Sequence, residues 1–438
     1  MAATGAKAMS DEKFDAIIVG AGISGCIAAY VMAKAGLDVL VIERGDTAGS
    51  KNMTGGRLYT HSLEEIMPGF THIAPVERKV VRERISFLTA ESAVTLDYLA
   101  STPQQAPIAE SWTVLRHTFD SWLMAQAEAV GAQFITGVRV DSLIRQNGRV
   151  TGVQAGDDTL EANVVLLADG VNSLLGRAIG MVPESSPHHY AVGVKEVISL
   201  PSAQIQERFG LTGNEGAAWL FAGSPSDGLM GGGFLYTNRD TLSLGLVCGL
   251  DGIEHARKTV PQMLEDFKQH PAIRPLIEGG TLQEYSAHLV PEGGIDMVPT
   301  LVENGVMIVG DAAGMCLNLG YTVRGMDLAI TAANVAAQTV ITAKNANDFS
   351  KEKLQDYPNA LEKSAVLRDM RHYRRLPAMM ENPRIFQQYP QMATDLMASL
   401  FTVNGKAPAS LCSTVLAHGK KIGLINLLKD GIKGVRAL

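Results

Sequence analysis

Three glycine-bearing segments, far apart along the chain, constrain its fold more than any other feature: Gly20-Ala21-Gly22-Ile23-Ser24-Gly25, Ala168-Asp169-Gly170 and Gly310-Asp311-Ala312-Ala313-Gly314. The first follows Phe14 to Val19, a short apolar run rich in β-branched residues that suits a buried parallel strand. A helix is expected from about Gly25 to Ala35, then a second strand from Asp38 to Ile42 that ends in Glu43, eighteen residues beyond Gly25. Gly20 permits the tight turn, Gly22 lets the backbone approach a pyrophosphate, and Gly25 with Ala29 allows the helix to pack close on the strand. The N–H groups at the start of that helix then face the phosphates. Glu43 stands where an acid accepts hydrogen bonds from ribose hydroxyls, and its charge disfavours a 2′-phosphate and hence NADP. Arg44, beside it, joins the cofactor-binding candidates.

The choice between NAD and FAD rests on the other two segments. Strand-like runs at Val150 to Gln154 and Val164 to Ala168 lead into Asp169-Gly170, which alone is only a turn signal. The run Val306 to Asp311 reads as a buried strand with its last carboxylate at the carboxyl end, the ligand-binding edge of open α/β sheets. A small-residue helix is expected from about Gly325 to Ala343, its N-terminus able to face a flavin ring that gains negative charge on reduction. In this order the glycine fingerprint, the mid-chain Asp-Gly and the late Gly-Asp resemble the FAD-binding domain of the glutathione-reductase-like flavoproteins, in the branch that includes aromatic hydroxylases. The resemblance implies FAD, with Asp311 on a ribityl hydroxyl, Asp169 near the pyrophosphate, and Gly170 and Gly310 among the cofactor-binding residues. Arg57, in a polar loop at about 52–62, is placed to meet phosphate or flavin. Arg116, at the start of a packed helix expected from Leu115 to Ala129, resembles the arginine that this branch directs at the cofactor; a solvated arginine is the other reading.

A chain of 438 residues exceeds the usual single-core size, so two interleaved domains are expected. Hydrophobic content of 46% against 19% charged describes a packed protein, and a net charge of −7 offers nucleic acid no general attraction. Cys26, Cys248, Cys316 and Cys412 form no CxxC pair, which excludes the usual zinc or iron–sulfur spacing; they read as buried small hydrophobes in a reducing compartment, and no metal site is expected. The first ten residues read as a tail, not a signal peptide, and no run of eighteen apolar residues suggests a membrane span. A cytoplasmic location, with room for a peripheral position on the inner face of the cytoplasmic membrane, follows as the expectation.

Between about 185 and 295, strand-like runs at Tyr190 to Ile198, Gly216 to Phe221, Gly233 to Tyr236 and Leu242 to Cys248 suggest a mostly antiparallel sheet. In Gly231-Gly232-Gly233-Phe234-Leu235-Tyr236 the glycines let a flat molecule approach the backbone, and Phe234 and Tyr236 project to one side of an ideal strand. A bulge with ordinary core aromatics is the alternative. The stretch GGGFLYTNRDTLSLGLVCGLD, Gly231 to Asp251, resembles the GGxFLY…LGLVVGLD stretch of electron-transfer flavoprotein:ubiquinone oxidoreductases. From Phe14 onward the chain is similar to the shorter bacterial FixC-type members, through KNMTGGRLYTHSLE, FAGSPSDGLMGGGFLYTN and VPQMLEDFKQHP. The resemblance implies that Gly231 and Gly232 line a quinone pocket, with Phe234 and Tyr236 beside it, and that an electron transfer flavoprotein and a membrane quinone are partners. Long members carry a cysteine-rich ferredoxin domain that this sequence lacks, so a separate ferredoxin-like iron–sulfur subunit is also implied.

The fold class expected is therefore α/β: a glutathione-reductase-like FAD-binding domain with a Rossmann-type parallel sheet, interleaved with an α+β, mainly antiparallel quinone domain. Its expected boundaries are a tail at 1–12, FAD-binding parts at 13–184 and 296–345, the quinone domain at 185–295, and a helical, partner-docking region at 346–438. In that last region Arg368, Arg371, His372, Arg374 and Arg375 fall in one helix-like stretch, and the tail from His418 mixes Lys420, Lys421, Lys429, Lys433 and Arg436 with apolar residues. Both read either as a docking surface for an acidic partner or lipid, or as solvated charge over a local core. The flavin carries the chemistry, so no catalytic side-chain constellation is expected. The function expected is electron transfer between the flavoprotein and quinone. Two alternatives stand: an FAD monooxygenase or geranylgeranyl-reductase-like enzyme with its own substrate, and a flavin-bearing scaffold subunit.

Overall fold

The computed structural model describes residues 13–51, 56–100, 109–184 and 186–437. The expected tail, the start of the 52–62 loop and most of the proline-containing patch at 101–109 lie outside the described residues. Five strands build the parallel part of the first sheet: β1 (Phe14–Val19), β2 (Val39–Ile42), β7 (Gln133–Ile135), β10 (Asp158–Leu167) and β17 (Val306–Ile308), in the spatial order β17-β10-β1-β2-β7. Every residue of β1, β2 and β17 is buried, as strands covered on both faces require. β16 (Val302–Glu303) closes one edge, and β8 (Ser142–Gln146) with β9 (Arg149–Ala155) extends the first half of β10 as a meander. Helix α1 (Ile23–Lys34) follows β1, α2 (Arg116–Ala129) precedes β7, and α3 (Met326–Ala346) packs on α1. Buried Ala28, Ala29, Ala332, Ala333 and Ala336 keep the α1 and α3 surfaces small enough for close contact.

The second sheet has nine strands: β3 (Gly56–Tyr59), β4 (Val76–Leu88), β5 (Ala93–Leu99), β6 (Ser111–Val114), β11 (Tyr190–Ser199), β12 (Glu215–Gly223), β13 (Gly231–Thr237), β14 (Thr241–Gly249) and β15 (Thr281–Pro291). The order runs β15-β11-β14-β13-β12-β4-β6-β3, with β5 on β4. This corrects the expected boundary, because the sheet is not confined to 185–295. The long strand β4 pairs in parallel with β12, from Lys79 opposite Glu215 to Leu88 opposite Gly223, and brings β3, β5 and β6 with it.

One face of this sheet carries its apolar core: Val194, Ala217, Trp219, Phe221, Leu235, Leu244 and Leu246 pack against Phe267 and Leu264. Strand alternation puts Gly232, Phe234, Tyr236, Leu220, Gly245, Lys195 and Ser286 on the opposite face. A hairpin of β18 (Leu317–Asn318) and β19 (Val323–Arg324) leads into α3.

The C-terminal region is helical as expected. Its last three helices are α4 (Gln388–Phe401), α5 (Leu411–Ile422) and α6 (Leu424–Ala437), broken between α5 and α6 at Gly423, where φ is +95°. Two expectations need correction there. The helix holding Arg368 and Arg371 ends at His372, so Arg374 and Arg375 lie beyond it, and Arg371 is paired with Glu362. Cys412 is exposed, unlike buried Cys26 and Cys248.

Candidate functional site

Parallel strands end on one edge, so β1, β10 and β17 deliver all three glycine segments to the same place. The packing there is tight enough to be specific. A Cβ on Gly20 (φ +103°) would lie 2.4 Å from Ala168 O, and one on Gly310 (φ +66°) 2.2 Å from Ser24 Oγ. Gly22 is the N-cap of α1 and supplies no side-chain cap, leaving the first-turn N–H groups for an anion. Glu43 is 8% exposed; its Oε2 accepts from Ala21 N–H at 2.7 Å and its Oε1 from Gly45 N–H at 2.7 Å. The carboxylate thus fastens the glycine turn to β2 and keeps further lone pairs for a ribose. Asp169 Oδ1 has no hydrogen-bond partner among the described residues, and burial pushes this carboxyl up to about 6 against the N–H of Leu175 and nearby Arg44. Gly170, at φ +79°, turns the chain away. These orphaned and uncapped groups fit a dinucleotide cofactor.

Arg116 heads α2 and forms a two-point ion pair with Asp120, Nε–Oδ1 2.9 Å and Nη2–Oδ2 2.8 Å, so it is not a free, solvated arginine. Burial works against its charge, but Asp120 and Asp311 more than offset that. Burial also raises the Asp311 carboxyl, while Arg116 and His288 pull it down. Arg116, Asp311, His288 and Arg44 therefore share one electrostatic neighbourhood. Arg57 is not part of it. Its guanidinium pairs with Glu83, Nη1–Oε2 2.8 Å, and its Nε donates to Ser111 Oγ at 2.9 Å, on the second sheet.

There Arg57 helps line a cavity of about 260 Å³ with Tyr59, Glu83, Ile85, Leu96, Tyr98, Ala218, Leu220, Tyr236 and the hairpin residues Tyr321, Thr322 and Val323. Phe234 stacks on Tyr236 with ring centroids 5.5 Å apart. Gly231 and Gly232 do not line this cavity. A Cβ on Gly231 would lie 1.9 Å from Val247 O and one on Gly232 2.1 Å from Phe221 O, so both glycines are demanded by their strand neighbours.

Comparison with known proteins places this geometry. Family models match residues 13–212 as an FAD binding domain, 190–290 as "ETF-QO, ubiquinone-binding" and 376–438 as the "ETF-QO/FixC family C-terminal domain". The chain is 70% identical, over 98% of its length and 100% of the relative's, to the probable electron transfer flavoprotein-quinone oxidoreductase YdiS of Escherichia coli strain K12. The chain belongs to the ETF-QO/FixC family. Protein FixC of the same strain is 59% identical over the same shares of both chains. Among solved structures, a geranylgeranyl bacteriochlorophyll reductase-like protein from Thermoplasma acidophilum superposes with TM-score 0.71 at 21% identity, covering 96% of this chain and 99% of that one. The flavin-dependent brominase Bmp2 follows at 0.62 and 16%, covering 94% and 100%. At such identities these two show the fold alone.

This ETF-QO/FixC chain also holds polar groups that local sequence signals did not single out. Lys195 and His288 sit on the second sheet's face toward the Arg116–Asp311 neighbourhood. A lysine within the apolar run YAVGVKEVIS was the available signal. Glu292 lines a small cavity of about 30 Å³ with Cys316, Asn318 and Tyr373. Burial pushes its carboxyl up to about 7, against a donor from Asn318 Nδ2 at 3.3 Å. The native state thus keeps a proton that the unfolded chain, with an ordinary value of 4.5, releases as pH rises. Stability from this group is present below about 4.5 and lost as pH climbs to about 7. Glu292→Gln, a permanently neutral mimic, is expected to melt with the native protein at pH 5 and above it at pH 8; equal melting at both would remove this account.

Proposed function

We propose that this chain transfers electrons between an electron transfer flavoprotein and a membrane quinone, using bound FAD. The observation that carries the quinone step is the cavity of about 260 Å³ between the second sheet and the hairpin that leads into α3. Its walls are mainly apolar and aromatic, and Leu96, Tyr98, Tyr321 and Val323 at its rim are exposed, as entry of a lipophilic ring requires. Tyr59 Oη, without a hydrogen-bond partner among the described residues, offers a hydrogen bond to a carbonyl. FAD supplies two-electron chemistry when bound. The turn Gly20, Gly22 and Gly25 would hold its pyrophosphate with Asp169 and Gly170 nearby, Glu43 its ribose, and Asp311 beside Gly310 its ribityl chain. Arg116 would face the same group.

No described helix is long and apolar enough to cross a membrane. On α6, exposed Leu424, Ile425, Leu428, Ile432 and Val435 share one helical stripe, with Lys429, Lys433 and Arg436 beside it. We read this as a peripheral contact with anionic lipid. The resemblance to FixC-type chains adds a separate ferredoxin-like subunit as relay.

The test is anaerobic mixing of pre-reduced protein with ubiquinone in vesicles, following the return of oxidised-flavin absorbance. Reoxidation should be faster on anionic than on neutral vesicles. Leu220→Trp, which fills the cavity, should slow it about tenfold or more with flavin content unchanged. Equal rates for Leu220→Trp and the native chain would place quinone elsewhere. A silent native protein, even with a soluble short-chain quinone, would move the step to the iron–sulfur subunit.

A further inference from the structure

Lys195, in the middle of β11, is 0% exposed. Its Nζ finds no hydrogen-bond partner among the described residues, and neither does Ser286 Oγ, which the β11–β15 register sets directly opposite. Burying an ammonium without an acceptor is costly, and two orphaned polar groups side by side point to a ligand that the described residues do not supply. Both lie on the sheet face that carries Gly245 and Phe234, away from the apolar core. A Cβ on Gly245 would touch Phe234 Cζ at 2.5 Å and Lys195 Cα at 3.0 Å, so glycine there keeps the aromatic ring and the lysine adjacent. On the same face, two residues along β15 from Ser286, His288 feels the charges of Asp311, Arg116 and Arg44, and Lys195 itself feels Arg116. Lys195 therefore stands between the stacked aromatic pair and the residues assigned to the cofactor.

We propose that Lys195, set beside Ser286, is a positioning residue directed at bound FAD, favouring its reduced, negatively charged form over the oxidised one. The inference rests on the cofactor placement given above and on no property of the quinone. Two electrons and one proton convert the neutral oxidised ring into a singly negative reduced one, and a cation held in low-dielectric surroundings stabilises that added charge. The charged groups facing Lys195 are Glu284 and His288 from β15 and Arg116 from α2, with Asp311 beyond; β14 presents Gly245, and β13 presents Phe234 and, two residues on, the Tyr236 phenol, which burial keeps neutral. Burial lowers the Lys195 amine to about 7, against the pull of Glu284 and with a push from Arg116. It is protonated below that value and neutral well above it.

Lys195→Met keeps the length and removes the charge. Replacing an unpaired buried charge with an apolar side chain is neutral or stabilising, so the variant is expected to fold and to retain flavin. In an anaerobic reductive titration against a dye of known potential at pH 6, its ratio of reduced to oxidised flavin should fall at least about tenfold, about 30 mV for a two-electron couple. The gap should narrow toward pH 9, and Lys195→Arg should stay with the native protein. If Lys195→Met loses flavin, Lys195→Gln reads the same shift. Full flavin occupancy with an unchanged potential at pH 6 overturns the proposal. The titration uses neither quinone nor flavoprotein, so a chain that passes it yet fails to reduce quinone would sink the proposed acceptor and leave the role of Lys195 standing.

Discussion

Gly25→Val is expected to yield a chain that purifies without flavin and melts well below the native protein. A Cβ at this position would lie 1.9 Å from Gly20 O and 3.0 Å from Gly20 C, with Ile18 Cγ2 at 3.4 Å. The obstruction is backbone, which no rotamer change can clear. Relief requires α1 to lift from β1 or the Gly20–Gly22 turn to unwind, and either movement takes the first-turn N–H groups away from the phosphates. Overpacking of this kind costs about 1–3 kcal/mol where side chains can yield, and backbone yields less. Gly36→Ala is the control: its φ is +85° but a Cβ there meets nothing within 4 Å, so only local backbone strain of about 1 kcal/mol is added and flavin stays bound. Flavin absorbance per chain and the thermal midpoint read both variants. Equal flavin content in the two would show that the turn does not hold the cofactor.

Arg78→Met is expected to lower stability by about 3–5 kcal/mol while leaving the cofactor region alone. Arg78 is 1% exposed, and among the described residues no carboxylate is hydrogen-bonded to it. Instead its guanidinium donates to Asn238 O (2.5 Å), Gly213 O (2.9 Å), Glu215 O (3.0 Å), Arg239 O (2.9 Å) and Ser202 Oγ (2.7 Å). One side chain thus ties β4 to the loops before β12 and after β13. Methionine fills similar volume but strands those carbonyls, at about 1–3 kcal/mol for each acceptor left dry. Lysine would keep the charge without the planar fork and recover only part of the loss. A drop below about 1 kcal/mol by denaturant titration would mean that the loops find other donors.

The cofactor half was readable because its signal is local. Strand, turn, helix and acid follow one another from Phe14 to Glu43, and the structure keeps them in that order. The second sheet was harder to read because its defining pairing, β4 with β12, joins segments that no window of sequence contains together. The surroundings of Arg57 were illegible for the same reason: its partner Glu83 is on another strand, and only the fold shows that the guanidinium is engaged there. For the glycine pair Gly231 and Gly232, expected to line a quinone pocket, the fold shows a local reason instead: the space they save is taken up by Val247 O and Phe221 O. Lys195 escaped notice because a lone lysine in an apolar strand carries no motif; its unpartnered amine is visible only with its neighbours in place.

The path of the chain has a further consequence for how such proteins can be assembled or reshuffled. It leaves the first sheet after β2 to lay down β3 to β6, returns for β7 to β10, leaves again for β11 to β15, and comes back for β16 and β17. Neither sheet can be completed until most of the polypeptide exists, so folding is dominated by non-local contacts and is expected to be slow, with sheet edges open to aggregation in the meantime. Nor is the quinone-side segment a transplantable cassette. Residues 190–290 taken alone would lose β4 and bare the flank of β12, so grafting that segment between relatives can succeed only where the recipient's own β4 matches the incoming strand.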